Sequence, residues 1–107
     1  MKKTVILLSL FIFAVLVSGT IGAASGEGSN GVALFKQHCS ACHPDGGNIV
    51  NPQKTLHKKD RQANGVKTGS DIVNKMRNPG PGMTQFDKKT ISDKDAAAIA
   101  GYILKTF

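Results

Sequence analysis

The feature that most constrains this chain is a pair of cysteines that lie two residues apart and directly before a histidine. The run is Cys39-Ser40-Ala41-Cys42-His43, and it contains the only two cysteines among 107 residues. Two thiols at this spacing can form thioethers along one edge of a porphyrin, and an imidazole directly after them can reach the iron. The run therefore predicts one covalently attached haem c, with thioethers at Cys39 and Cys42 and His43 as the proximal iron ligand.

Three other uses of paired cysteines explain the run less well. A zinc knuckle needs four nitrogen or sulfur ligands, and the sequence has no second C-x-x-C and no H-x-x-x-H. A thioredoxin-like dithiol needs a βαβ pattern, which is missing. A structural disulfide is common in small exported chains but gives the adjacent histidine no role. Because C-x-x-C-H occurs once, we expect a single haem.

The sixth position on the iron decides whether such a protein transfers electrons or binds small molecules. The candidate ligands are Met76, Met83, His38 and His57. We choose Met83, because residues 78–86 form a loop rich in Gly and Pro that can present a thioether opposite His43. Met76 follows Ile72 by four residues on a predicted helix, where methionine more often packs. The two histidines are interpreted as exposed or locally bonded.

The N-terminal residues have the pattern of an export signal. Lys2 and Lys3 precede residues 5–17, which are apolar except for Ser9, and small residues follow at 22–24. This pattern predicts a signal peptide over residues 1–24, cleavage after Ala24, and one periplasmic domain over residues 25–107. The alternative is an uncleaved membrane anchor, because about 20 apolar residues suffice to span a bilayer.

The charge of the chain is strongly basic, with 14 Lys and Arg against 7 Asp and Glu and a formal net charge of +7. Loss of Lys2 and Lys3 with the signal leaves 12 basic side chains and +5. This excess favours redox partner proteins with acidic docking surfaces and does not specify nucleic acid. The predicted docking residues are Lys54, Lys58, Lys59, Arg61 and Lys67.

The first predicted helix leads into the cysteine pair. Val32, Phe35 and Cys39 recur at spacings of three and four after a Gly/Ser-rich lead-in over residues 25–30. Residues 44–52 contain two prolines and a Gly-Gly-Asn run, which indicates a turn region rather than regular structure.

Two short helices are predicted in the middle of the chain. The first is capped by Thr55, runs to Asn64 and ends at Gly65 in the left-handed conformation. The second begins with Ser70 as its cap and ends at Arg77, before a proline.

A last helix is predicted after Ser92, which can act as its cap. Ile99, Tyr102 and Ile103 lie on one face, which Phe107 extends. No segment alternates as a strand does, so the predicted fold is all-α, with three to five short helices around one haem. A domain of this size buries a limited core, and the haem would act as its staple.

Residues at both ends of the predicted domain resemble the class I cytochromes c, most closely the small monohaem cytochrome c6-like group. Gly31 and Phe35 resemble the glycine and aromatic residue of that family's first helix, and Gly101 with Tyr102 resembles their partner on the last helix. The resemblance implies the cytochrome c fold, in which these two helices cross closely.

The loops resemble the same family. Residues 46–48 followed by Pro52 resemble the proximal loop, and the resemblance implies that the carbonyl of Pro52 accepts a hydrogen bond from His43. The Met83 loop resembles the family's methionine loop, although Thr84 stands where proline commonly follows the methionine.

The expected function is reversible one-electron transfer between larger redox proteins by a monomer that changes no substrate bond. Iron ligated by both His43 and Met83 is closed to dioxygen and peroxide. Two alternatives remain open. One is a haem-based ligand sensor or peroxidase-like enzyme with a displaceable sixth ligand, and the other is a subunit of a larger redox complex.

Overall fold

The computed structural model describes residues 27–107, with side chains from residue 30 onward. The predicted signal peptide, residues 1–24, lies outside the described residues. Four helices are α1 Glu27–His38, α2 Lys58–Ala63, α3 Gly69–Arg77 and α4 Asp93–Thr106, with one 3-10 turn at Pro44–Gly46. Residues 27–107 contain no strand, and the predicted all-α fold is confirmed.

The crossing of α1 and α4 brings the two ends of the described chain together. A Cβ atom at Gly31 would lie 2.5 Å from the backbone oxygen of Ala98 and 3.1 Å from the Cβ of Tyr102. The ring of Phe35 packs at a tilt on Tyr102, at 5.2 Å, and on Phe107, at 5.6 Å. The bare backbone at Gly31 therefore allows the close approach that lets the aromatic rings interlock.

The predicted role of Gly101 in this crossing is wrong. Gly101 is exposed, and a Cβ atom there would meet nothing within 4 Å. α4 turns Ala98 and Tyr102 toward α1, so the close contact on α4 is made three residues before Gly101 and one residue after it.

The core lies where α1, α3 and α4 meet. Its buried members are Phe35, Ile72, Met76, Ile91, Ala96, Ile99, Ala100 and Ile103. Met76 is only 3% exposed, and its predicted packing role four residues after Ile72 is confirmed. The predicted inner face of the last helix is also confirmed, with Ile99 and Ile103 buried and Phe107 packed against the core.

Helix starts differ from the sequence prediction at two places. α3 is capped by Thr68 rather than Ser70: the Thr68 hydroxyl accepts from the amide of Asp71, and the Asp71 carboxylate accepts from the amide of Thr68. These hydrogen bonds, above all the one from the Thr68 amide, lower the pKa of Asp71. α2 begins at Lys58, because the hydroxyl of Thr55 is engaged with the carboxylate of Asp60.

Two predicted helix signals are confirmed. Gly65 adopts the left-handed conformation after α2, with φ of 75°. Ser92 caps α4, because its hydroxyl accepts a hydrogen bond from the amide of Asp95 at 3.1 Å. α1 begins at Glu27, inside the segment that was predicted as a lead-in.

Substitution of the two glycines at the helix crossing should have opposite effects. We expect Gly31→Ala to lower the free energy of unfolding by about 1–3 kcal/mol, because the new methyl group overpacks the contact with Ala98. We expect Gly101→Ala to raise it by about 0.5–1 kcal/mol, because its site is open and alanine favours the helix. Urea unfolding followed by circular dichroism measures both, and equal effects would contradict this account of the crossing.

Candidate haem-binding site

One cavity of about 290 Å3 collects the residues of the cysteine motif and the methionine loop. Cys39, Cys42 and His43 line it, and so does Met83, which lies forty residues further along the chain. The apolar part of the lining includes Leu56, Val66, Ile72, Met76, Phe86 and Ile103. All the predicted haem-contacting residues except Pro52 therefore share one cavity with apolar walls.

The cysteine pair lies in the turn that follows α1. The amide of Cys39 donates to the carbonyl of Phe35 at 2.8 Å, and the amide of His43 donates to the carbonyl of Cys39 at 2.9 Å. The backbone thus keeps coiling past the end of α1 and turns both thiols and the imidazole toward the same cavity. Cys39 is half-buried and Cys42 is exposed, and no disulfide joins them.

The environment of Cys39 argues against a redox dithiol. Burial raises the pKa of the Cys39 thiol to about 11. The attacking cysteine of a thioredoxin-like site has a lowered pKa, because the thiolate is the reactive form. Cys39 therefore lacks the lowered pKa that marks the attacking thiol of such a site.

The ring of His43 is oriented by the backbone four residues later. Its Nδ1 lies 2.8 Å from the carbonyl oxygen of Gly47. Because a carbonyl only accepts, Nδ1 carries the proton, and Nε2 keeps a lone pair for a metal. This is the tautomer that an iron ligand needs.

The prediction that Pro52 accepts this hydrogen bond is wrong. Pro52 is exposed and does not line the cavity. The reason is the tight turn after His43, in which Asp45 and Gly46 both adopt positive φ, 53° and 77°. This turn folds the chain back and places the carbonyl oxygen of Gly47 beside the ring of His43.

This turn is fastened to the C-terminal end of α4. Gly46 is buried, and a Cβ atom there would lie 2.5 Å from the ring of Phe107. The carbonyl of Gly46 accepts from the amide of Leu56 at 2.7 Å, and the carbonyl of Phe107 accepts from the amide of Lys58 at 3.0 Å. The proximal loop, α2 and α4 therefore hold one another in place beside His43.

The loop that carries Met83 is anchored at both ends by Arg77. One guanidinium nitrogen donates to the carbonyls of Phe86, at 3.0 Å, and Ile91, at 2.9 Å, and another donates to Asp93 at 2.9 Å. Hydrogen bonds from Lys88 and Arg77 lower the pKa of Asp93. Met83 lies between Arg77 and Phe86, is 37% exposed and lines the cavity.

The tip of the same loop rests on the proximal side of the cavity. Gly82 has φ of 87°, and a Cβ atom there would lie 2.8 Å from Cγ1 of Val50. Gln85 donates to the carbonyl of Arg77 at 2.9 Å and closes the loop behind Met83. The chain thus restrains the methionine loop with hydrogen bonds although Thr84 replaces the usual proline.

The other candidate ligands have different surroundings. His57 is exposed, as predicted, and its ring meets Phe107 edge-on at 5.8 Å. His38, the last residue of α1, is half-buried, lines the cavity and meets the ring of Phe86 edge-on at 6.1 Å.

Arg61 is the cavity residue that sequence reasoning misplaced. It was predicted to be an exposed docking residue, but it is 5% exposed and lines the cavity. α2 has the sequence Lys-Lys-Asp-Arg-Gln-Ala, so no apolar periodicity marks its inner face. No other feature of the sequence indicated that the side chain of Arg61 would be buried.

The residues of the cavity fit a haem. The cavity contains two thiols, a thioether and an imidazole whose Nε2 is free. Its walls are formed by Leu, Ile, Val, Met and Phe side chains, so the cavity suits an apolar macrocycle that binds iron. Among residues 27–107, no three His, Cys, Asp or Glu side chains come together in a way that could hold a bare metal ion. In the same range, no helix is long and apolar enough to span a bilayer.

Comparison with known proteins finds cytochromes. A family model described as cytochrome c oxidase, cbb3-type, subunit III matches residues 26–103. Cytochrome c6 of Cyanidium caldarium is 31% identical over 104 residues, which cover 97% of this chain and 94% of that protein. Cytochrome c6 of Synechocystis is 39% identical over 82 residues, 77% of this chain and 68% of that protein.

Solved structures agree with the sequence comparisons. The outer membrane cytochrome OmcF of Geobacter sulfurreducens superposes with a TM-score of 0.70 at 47% identity, covering 72% of this chain and 98% of that one. Cytochrome c6C of Synechococcus gives a TM-score of 0.66 at 30% identity, covering 71% and 92%.

These matches, together with the all-α fold and the cavity, show that the chain belongs to the cytochrome c family, among its small monohaem class I members. As in that class, its cofactor is one covalently bound haem c, and its chemistry is electron transfer.

Proposed function

We propose that this chain carries single electrons on a haem whose thioethers are Cys39 and Cys42 and whose iron is ligated by His43 and Met83. The observation that carries the proposal is that these four side chains line one cavity although Met83 is forty residues from His43 in the sequence. The haem supplies the reversible change between ferric and ferrous iron. The chain supplies the attachment, the two ligands and the exclusion of water.

His43 contributes an oriented and basic imidazole. The hydrogen bond from Nδ1 to the carbonyl of Gly47 fixes the ring plane and makes Nε2 a better donor. Gly47 in turn directly follows Gly46, which is buried against the ring of Phe107. The ligand is therefore held by the fold before any change of oxidation state.

Met83 contributes a neutral thioether, which favours ferrous iron and raises the reduction potential relative to a second histidine. The loop is anchored through Arg77 at Phe86 and Ile91, and its tip rests on Val50. These contacts support a loop that keeps its place in both oxidation states. A six-coordinate iron is closed to dioxygen and peroxide, which favours a carrier over a sensor or peroxidase.

The partner class that we propose is a redox protein with an acidic docking surface, met outside the cytoplasm. The proposed location rests on the export pattern of residues 1–24. Lys54 is exposed at the cavity wall, and Lys58, Lys59 and Lys67 are exposed nearby in the chain. Ile49 and Val50 are 63% and 58% exposed, and Val50 lies against Gly82, so this pair offers an exposed apolar surface near the methionine loop.

Removal of the proposed sixth ligand should open the iron. We expect the unaltered ferrous protein to bind carbon monoxide negligibly at neutral pH, and Met83→Ala to bind it rapidly and to have a lower reduction potential. The matched control is Met76→Leu, a substitution of similar volume at a buried methionine, which should keep the spectrum and exclude carbon monoxide. Visible spectroscopy during titration with carbon monoxide measures all three proteins. Rapid binding by the unaltered protein would favour the sensor or peroxidase instead.

Electrostatic docking should make electron transfer depend on salt. We expect the second-order rate constant toward an acidic redox protein to fall about tenfold between ~10 mM and ~150 mM salt, as the Debye length shrinks from ~30 Å to ~8 Å. Lys58→Glu should lower the rate at low salt more than Lys94→Glu, an equal charge change at the start of α4. Stopped-flow absorbance measures these rates, and a salt-independent rate would refute electrostatic docking.

A further inference from the structure

The loop that carries Met83 is closed at its base by three hydrogen bonds. The amide of Phe86 donates to the carbonyl of Met76 at 2.9 Å. Nη1 of Arg77 donates to the carbonyl of Phe86 at 3.0 Å, and Nε2 of Gln85 donates to the carbonyl of Arg77 at 2.9 Å. The first bond joins backbone groups and does not depend on side chains. The other two need the side chains of Arg77 and Gln85.

The guanidinium of Arg77 occupies its position at a cost in stability. The side chain is 16% exposed, and its Nε atom is buried without a hydrogen-bond partner among the described residues. A buried donor that has lost water and gained no partner destabilises a fold. Nη1 offsets part of this cost with a second bond, to the carbonyl of Ile91 at 2.9 Å, and Nη2 with the ion pair to Asp93 at 2.9 Å. Arg77 thus ties the end of the methionine loop to the segment that enters α4.

The residue after Met83 gives these bonds a purpose. A proline there would fix its own φ and would restrict Met83 to extended conformations. Thr84 does neither, so the chain around Met83 has more conformations to lose when the loop is ordered. Thr84 is exposed, and its amide donates no hydrogen bond in the part of the chain that the structure describes. The side-chain bonds at the base of the loop remove the same kind of freedom by closing it.

We propose that Arg77 and Gln85 are the positioning residues of Met83, and that their hydrogen bonds take the place of the proline that commonly follows such a methionine. This inference rests on the proposed ligation of the iron by Met83. The two side chains make open conformations of the loop, in which the sulfur lies away from the iron, less favourable. A molecule that competes with Met83 for the iron therefore binds less tightly.

Imidazole, a small ligand of ferric haem, measures how firmly Met83 is held in the haem-loaded protein. We expect Gln85→Ala to strengthen imidazole binding about three- to tenfold, the effect of one net hydrogen bond, and Arg77→Gln to strengthen it at least about tenfold. The matched control is Gln62→Ala, the same change at an exposed position of α2 whose side chain makes no hydrogen bond within residues 30–107. It should alter the affinity less than twofold. Visible spectroscopy during titration with imidazole measures all these proteins.

The substitution Thr84→Pro separates positioning from a general loss of stability. Because the side-chain bonds and a proline would restrict the same loop, Thr84→Pro should return the imidazole affinity of Gln85→Ala to within twofold of the unaltered protein. In the unaltered protein the same substitution should change the affinity less than twofold, and this difference is the coupling that a double-mutant cycle detects. Ile99→Val, a substitution inside the core, should lower stability and leave imidazole binding unchanged.

Two results would overturn the inference. One is equal imidazole affinity in Gln85→Ala, Arg77→Gln and Gln62→Ala, and the other is a strengthened affinity that Thr84→Pro leaves in place. Should Arg77→Gln fail to fold, the glutamine variants carry the same comparison. Failure of the proposed function is distinguishable, because the unaltered protein would then bind imidazole as tightly as Met83→Ala.

Discussion

The interaction on which the rest of this structure depends is the contact between the cavity walls and a flat, largely apolar group. Eight buried residues form the core of the described part of the chain, and three of them, Ile72, Met76 and Ile103, also line the cavity. A domain of this size buries too little surface to be very stable by itself. Haem therefore completes the core as well as the redox centre, and we expect the haem-free chain to fold poorly.

In the proposed function, two side chains act on the same quantity, the balance between ferric and ferrous iron. As proposed ligands, His43 with its hydrogen bond to Gly47 would favour ferric iron, and the thioether of Met83 would favour ferrous iron. The loops that carry them are fixed by the packing of Phe107 on Gly46 and by the hydrogen bonds of Arg77. The proposal thus makes the reduction potential depend on how these two loops are held.

Sequence reasoning succeeded where the signal is local. The cap of α4 at Ser92 and the left-handed Gly65 each depend on a few neighbouring residues, and the structure confirms both. The residues of the cysteine motif, which are also neighbours in the sequence, line one cavity. Sequence reasoning failed where the chain folds back. The carbonyl of Gly47 rather than that of Pro52 accepts the hydrogen bond of His43, because Asp45 adopts a positive φ. The sequence around Asp45 did not indicate this conformation. The face that Gly101 presents depends on the rotation of α4 against α1, and the burial of Arg61 depends on how α2 packs beside the cavity.

The central claim is that one haem is bonded to the sulfurs of Cys39 and Cys42. The most direct measurement is the intact mass of the denatured protein from a host that matures c-type cytochromes, combined with its alkaline pyridine spectrum. The account predicts the mass of the polypeptide plus one haem, a spectrum of haem with both vinyl groups saturated, and no thiol that reacts with an alkylating reagent. A colourless polypeptide of unmodified mass with two reactive thiols would contradict it.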